Sequence, residues 1–224
     1  MIVIDVEGLI GAGKTTLIGH LKAHYELKGF KVIIIKENVD NWSDILPLFY
    51  ADPKRWAYHF QTKVFLDRVN ESINQFKEPA DIYITERGVI SDRIFMKVLY
   101  QQKNITDMEW KDYNQWCGLW EKVMPFKPDV YLYLTPSMNE VMKRVRKRNR
   151  NGEDTVSIEY QQLLKSEHDE TFLKVDNYSC SNNYHTQLDT YKIPVVKIES
   201  DGDFNDKSVL NSIINSLSTI IFLL

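Results

Sequence analysis

The sequence predicts an α/β fold of three layers, a five-stranded parallel sheet flanked by helices. Three observations carry that expectation. Short runs rich in β-branched and aromatic residues recur at 2–6, 31–35, 81–85, 130–134 and 194–198, and their near-continuous apolar character is that of strands covered on both faces. Longer stretches with helical spacing separate them, the alternation that parallel sheets require. A glycine-rich turn follows the first run and leads into a helical stretch. A chain of 224 residues without a long linker or internal repeat suits one domain, 1–224.

Several helices carry readable start signals. Asp52-Pro53 is an N-cap followed by proline in the first turn, opening a helix expected to run to about residue 76. Thr106 to Glu109 and Ser137 to Glu140 have capping-box spacing. Trp110, Tyr113, Trp116 and Trp120 are spaced to share one face of the helix after Thr106 and are expected in the core. Gly152 and its polar neighbours interrupt two helices, and 176–190 reads as a surface connection. At the C-terminal end Leu210, Ile213, Ile214, Leu217, Ile220, Ile221 and Leu224 recur at helical spacing among Asn and Ser. That pattern predicts an amphipathic core helix, too short and polar to span a membrane.

Composition removes other classes. With 43% apolar and 26% charged residues the chain is ordinary for a globular protein. A net charge of −3 argues against nucleic-acid and membrane partners, so any positive site must be local. The cysteines, Cys117 and Cys180, lack metal-ligand spacing and suit packing in a reducing compartment. Because the glycine-rich turn begins at residue 8, no leader segment is expected, and a cytoplasmic location is.

That turn reads Gly8-Leu9-Ile10-Gly11-Ala12-Gly13-Lys14-Thr15, the phosphate-binding P-loop pattern in the strand–turn–helix context it requires. Its glycines let backbone N–H groups wrap a polyphosphate, and the helix N-terminus adds a positive dipole end. Lys14 would neutralise the β- and γ-phosphates and Thr15 would reach Mg²⁺. Gly8, Gly11, Ala12, Gly13, Lys14, Thr15 and Thr16 are thus candidate nucleotide-binding residues, with ATP or another nucleoside triphosphate and Mg²⁺ as expected cofactors, on a P-loop NTPase-type fold. The loop alone leaves GTPases, ATPases and small-molecule kinases open.

Other residues aim at this loop. Glu37 directly follows the second strand, where a carboxylate can act as base toward a hydroxyl. Glu86 and Arg87 end the third strand, where P-loop enzymes commonly put an acid that helps hold the metal. Six of the eight residues from Lys143 to Arg150 are basic, and Arg144 and Arg148 lie one turn apart. With the following Asn151-Gly152-Glu153-Asp154 they suit a lid over phosphates, about 144–156. Gln61 offers an amide able to pair with a base edge, and Arg68 lies two turns further along the same helix.

Five segments in order make the chain resemble the deoxyribonucleoside kinase family over nearly its whole length. They are Glu37-Asn38-Val39-Asp40-Asn41-Trp42, with Asn38 for the family's proline; Tyr50-Ala51-Asp52-Pro53-Lys54-Arg55-Trp56 running into Phe60-Gln61; Glu86-Arg87, with Gly88 where the family has serine; Arg144 to Arg150; and Asp201-Gly202-Asp203-Phe204. The resemblance implies Glu37 as general base for a 5′-hydroxyl and Arg87 on the 5′-oxygen and transferring phosphoryl, with Lys14 completing the catalytic set. It implies Thr15 and Glu86 at Mg²⁺, and Arg144, Arg148, Arg150, Asp203 and Phe204 around the donor. Tyr50 and Glu153 would take the sugar 3′-hydroxyl, and Trp42, Phe60, Gln61 and Val64 would line the acceptor pocket. Arg68 and Asp92 match a pair found in the deoxycytidine/deoxyguanosine kinase branch. A carboxylate there accepts from an exocyclic amine, so deoxycytidine, deoxyadenosine or deoxyguanosine is expected over thymidine. Similar kinases pair through helices, and the aromatic-rich 89–124 region implies a homodimer. Two rival readings are a thymidylate-type nucleotide kinase, which usually shows Asp-Arg where this chain has Glu86-Arg87, and a catalytically silent P-loop subunit, expected to lose Lys14, Glu37 or the lid arginines.

Overall fold

The computed structural model of the chain describes residues 1–123, 127–148, 156–173, 193–202, 204 and 206–223. Its strands are β1 (Ile2–Gly8), β2 (Val32–Ile35), β3 (Ile82–Glu86), β4 (Val130–Leu134) and β5 (Val195–Ile198). They form one sheet in the order β2-β3-β1-β4-β5, and each neighbouring pair is parallel. The expected sheet is present. Only strand ends differ: β1 runs two residues further, to Gly8, because its last residues stay in register with Tyr133 and Leu134 of β4.

The helices are α1 (Lys14–Leu27), α2 (Leu46–Ala51), α3 (Pro53–Gln75), α4 (Val89–Gln101), α5 (Asp107–Val123), α6 (Met138–Arg148), α7 (Ile158–Leu173) and α8 (Lys207–Leu223), with a 3₁₀ turn at Val39–Trp42. Two main apolar cores hold them, beside a small cluster of Val3, Ile35 and Tyr83. One lies between the sheet and α1, α4, α6, α7 and α8, with Ile4, Val6, Leu17, Leu21, Ile84, Leu132, Leu164 and Leu217 at its centre. The other is built from α2 to α5 with Trp42 of the 3₁₀ turn and Ile105, around Phe49, Phe60, Val64, Phe65, Met96, Tyr113 and Cys117. The cleft described below opens where the second core meets the C-terminal ends of β1, β2 and β3, the edge at which open α/β sheets bind ligands.

The helix signals hold in part. The Asp52 side chain accepts from the Arg55 N–H at 3.3 Å and caps α3. Thr106 and Glu109 form a reciprocal box, Glu109 accepting from the Thr106 N–H at 2.7 Å and Thr106 from the Glu109 N–H at 3.3 Å. At α6 only half of the box forms: Ser137 accepts from the Glu140 N–H, while the Glu140 carboxylate turns to Lys143 and Arg144. The aromatic stripe needs a correction. Tyr113 is buried, with Trp110 and Trp120 packed against the same core, but Trp116 is 50% exposed. In its place Cys117, four residues after Tyr113, continues the buried face, since i to i+4 keeps a helical position in line better than i to i+3. Arg150, Gly152, Glu153, 176–190, Cys180 and Asp203 lie outside the described residues, as does much of the expected lid. Among the described residues no helix is long and apolar enough to cross a membrane.

Candidate active site

β1 delivers the chain into the P-loop, and α1 starts from it. Gly13 caps α1 in a left-handed conformation, φ 96°, and a Cβ there would come 2.8 Å from the ring of Phe204. Glycine is therefore required by both backbone and packing. Phe204, expected beside the donor base, is buried and seated on this loop. Gly11 is equally close to α6, where an added Cβ would meet Val145 at 2.9 Å. Ala12 is buried, while Thr15 and Thr16 are exposed. The Lys14 ammonium is buried and donates to the carbonyls of Leu9 (3.0 Å) and Gly8 (3.4 Å). Burial and the nearby Arg87 lower its pKa to about 7 against the pull of Glu86, Glu37 and Glu7. The Thr15 hydroxyl donates to both Glu86 carboxylate oxygens at 2.9 and 3.1 Å.

Two residues beyond β2, Glu37 meets two guanidiniums. Its Oε1 accepts from Arg68 Nη2, and its Oε2 lies 3.5 Å from Arg87 Nε. Burial pushes the Glu37 pKa up, but Arg87, Arg68 and Lys14 outweigh burial and hold it at about 2. Arg87 itself has φ 67°, a left-handed conformation rare for a residue with a side chain. Its guanidinium sits over the Phe95 ring at 4.7 Å.

Gln61 and Arg68, which line the same cleft, are held by Asp92, fully buried near the start of α4, which accepts from Gln61 Nε2 (2.6 Å), Arg68 Nη1 (2.7 Å) and the Tyr113 hydroxyl. Burial raises its pKa to about 6 although Arg68, Tyr113 and Gln61 counter it. Arg68 thus joins Glu37 to Asp92. The cleft, about 190 Å³, is lined by Trp42, Phe49, Tyr50, Phe60, Val64 and Phe95 on its apolar sides and reaches Lys14, Thr15 and Glu86 at its floor. Phe49 stacks on Phe60 with centroids 4.7 Å apart, and Trp42 meets Phe60 at right angles. The Trp42 indole N–H donates to Asp67 at 2.8 Å, which fixes the ring.

The lid arginines divide. Arg148 lines the cleft. Arg144 instead donates to the backbone carbonyls of Ala12 (3.0 Å), Ser200 (2.8 Å) and Gly202 (3.2 Å) and pairs with Glu140. The structure places it between the P-loop and the Ser200 and Gly202 carbonyls rather than converging with Arg148.

Several residues around the site escaped the sequence reading. Phe49 lies in the apolar run Leu46-Pro47-Leu48-Phe49-Tyr50, a signal that could have marked it. Tyr160 of α7 also lines the cleft, and burial, with Tyr50 nearby, raises its pKa; nothing in its local sequence sets it apart. Gln161 beside it is buried and donates to the Ile10 carbonyl of the P-loop at 2.8 Å. Asp5 and Glu7, two acids in an otherwise apolar strand, are buried as well, and their charge in such a strand was a visible signal.

With this geometry in place, comparison with known proteins gives a consistent result. Residues 4–222 match the family model described as deoxynucleoside kinase. A fowlpox virus (strain NVSL) protein described as a "probable deoxycytidine kinase" is 34% identical over 225 residues, covering 97% of this chain and 88% of its own length. The mitochondrial deoxyguanosine kinase of Xenopus laevis is 28% identical, covering 95% of this chain and 86% of that protein. The deoxyadenosine kinase of Dictyostelium discoideum is 31% identical over 78% of this chain and 68% of its own.

Proposed function

Because the chain belongs to the deoxynucleoside kinase family, and is therefore an enzyme that phosphorylates deoxynucleosides, we propose that it moves the γ-phosphoryl of ATP, or of another nucleoside triphosphate, onto the 5′-hydroxyl of a deoxynucleoside with an amine-bearing base. Family membership sets aside the thymidylate-type and silent-subunit readings. The observation that carries the proposal is one cleft lined by Glu37 beside the P-loop and by Gln61 and Arg68, both of which donate to the buried carboxylate of Asp92, so that Arg68 joins Glu37 to Asp92.

In this reading the nucleoside lies between the aromatic walls with its base toward Gln61, Arg68 and Asp92. Trp42, Phe60 and Val64 supply apolar contact, and Tyr50, with Glu153 from the lid, takes the sugar. Cytosine, adenine and guanine all carry an exocyclic amine that a carboxylate can accept from, and thymine does not. The relatives named above as kinases of deoxycytidine, deoxyguanosine and deoxyadenosine support that grouping. The 5′-oxygen attacks phosphorus, the bond from phosphorus to the donor's bridging oxygen breaks, and the hydroxyl proton passes to Glu37. At about 2 the Glu37 carboxyl is a weak base, which suits a loose transition state in which the hydroxyl becomes acidic only as the new bond forms. Arg87, Arg148 and Arg150 spread the charge on the transferring group, while the loop from Gly8 to Thr16, with Lys14, holds the polyphosphate. Arg144, Asp203 and Phe204 form the donor side.

The Thr15 hydroxyl and the Glu86 carboxylate fit Mg²⁺: they are hard oxygen donors already in mutual contact beside the loop. Among the described residues no three His, Cys, Asp or Glu gather into a metal cage, and Mg²⁺ typically completes its shell with phosphate oxygens and water. When bound, it would neutralise charge on the donor phosphates.

Trp116, Leu119 and Val123 leave an apolar strip of α5 open, which supports a homodimer; in this reading each subunit is a single domain with a lid over about 144–156, working in nucleotide salvage in the cytoplasm. The deciding assay incubates purified protein with ATP, Mg²⁺ and each of deoxycytidine, deoxyadenosine, deoxyguanosine and thymidine. At least one amine-bearing nucleoside is expected to exceed thymidine in kcat/KM by about tenfold or more, the scale of one hydrogen-bonded discrimination; thymidine as the best substrate would reject the base assignment. Glu37→Gln is expected to lower kcat by roughly 10²–10⁴-fold at saturating nucleoside, and near-parental turnover would reject Glu37 as the base.

A further inference from the structure

Asp5 and Glu7 take no part in the chemistry above, yet they are 3% and 0% exposed in the central strand. They lie two residues apart and so share one face of β1. Buried acids call for partners. Glu7 Oε1 accepts from the Gly88 N–H at 3.1 Å, and its Oε2 accepts from the Ser91 hydroxyl. Asp5 presses on the same residue: a Cβ added to Gly88 would stand 2.1 Å from Asp5 Oδ2. Both carboxylates of β1 therefore close on residue 88, immediately after Arg87.

That peptide is where Arg87 is set. A left-handed φ of 67° on an arginine persists only where its surroundings over-determine it. Here the Arg87 N–H donates to the Val6 carbonyl at 3.2 Å, the next N–H is taken by Glu7, and Ser91 in the first turn of α4 is tied to the same carboxylate. Gly88 caps α4 without any side-chain hydrogen bond, and Glu7 takes the Gly88 N–H as the third-position acid of a capping box would. The result aims the guanidinium past Phe95 toward Glu37.

We propose that Asp5 and Glu7 are positioning residues for Arg87, and that Asp5 and Gly88 form a matched pair. The volume that a serine side chain would fill at position 88 is filled in this chain by the carboxylate of Asp5. The proposal rests on the reading of Arg87 as a contact of the transferring phosphoryl.

A double-mutant cycle tests it in the full-length protein, with kcat, nucleoside KM and melting midpoint read for Gly88→Ser, Asp5→Ser and the double variant. Gly88→Ser should lower kcat by about 10²-fold, the cost of a small misplacement at the reacting centre, with a much smaller change in KM. Adding Asp5→Ser should restore most of that loss. Glu7→Gln keeps an acceptor for the Gly88 N–H and should retain far more turnover than Glu7→Ala. Should Gly88→Ser fail to fold, recovery of folded protein in the double variant is the expected result. Parental kcat in Gly88→Ser, a double variant no better than Gly88→Ser, or Glu7→Gln no better than Glu7→Ala would each overturn the proposal. Arg87→Gln, measured beside them, separates the two layers. Parental turnover in Arg87→Gln rejects the reading of Arg87 itself, whereas an inactive Arg87→Gln beside a fully active Gly88→Ser rejects only the positioning.

Discussion

Asp92 receives hydrogen bonds from two helices, Gln61 and Arg68 of α3 and Tyr113 of α5, while burial raises its pKa to about 6. On the proposed reading its charged form accepts from the base, so protonation below about 6 weakens binding. The kcat/KM for an amine-bearing deoxynucleoside should fall as pH drops through about 6, since that ratio reports the free enzyme. In Asp92→Asn this limb should vanish and the plateau should be lower; an unchanged limb would remove Asp92 from base binding. The stability sign runs the other way. The folded chain holds this proton more tightly than the unfolded one, so the carboxyl favours the fold below its ordinary value of 3.8 and that advantage is lost as pH rises to about 6. Glu37 and Gln61 could be singled out in the sequence because they belong to segments with fixed spacing, Arg68 and Asp92 because they match a pair in the branch the chain resembles. Tyr113 and Tyr160 were not, because their places at the site come from contacts between helices distant in the chain.

α3 carries Phe60, Gln61, Val64 and Arg68 along one face, so its starting point sets the phase of the base-reading wall. Asp52 caps it, and its side chain satisfies the Arg55 N–H. Asp52→Ala should cost about 1 kcal/mol of stability in urea denaturation; no measurable change would mean that proline at the first turn, Pro53, suffices. Caps and proline were readable here because they act within a few residues. The inward side of α5 was harder to read: four aromatics suggested one stripe, but Tyr113 and Cys117 set the buried line and turn Trp116 outward. Periodicity identifies the helix, and packing against Phe65 and Met96 selects which residues of a broad apolar face are covered.

The five strands and their parallel character followed from alternation along the chain, but the order β2-β3-β1-β4-β5 did not, since crossovers of similar length serve several orders. The outward strip of α5 bears on assembly. Leu119→Glu places a charge among exposed Trp116, Leu119 and Val123, and sedimentation should show the parent as a dimer and this variant as a monomer; a monomeric parent would reject the proposed homodimer. Across the cleft, Arg68 divides its guanidinium between Glu37 and Asp92. For anyone reshaping the enzyme to accept a new base, that sharing removes a degree of freedom. Exchanging Asp92 for a neutral residue would leave Arg68 with Glu37 as its remaining carboxylate partner among these two, draw the pair together, and weaken the acid's hold on a proton further. Substrate range and turnover would then drift together under mutation, so a productive change of base preference should arrive as paired substitutions at 68 and 92 rather than as a single one.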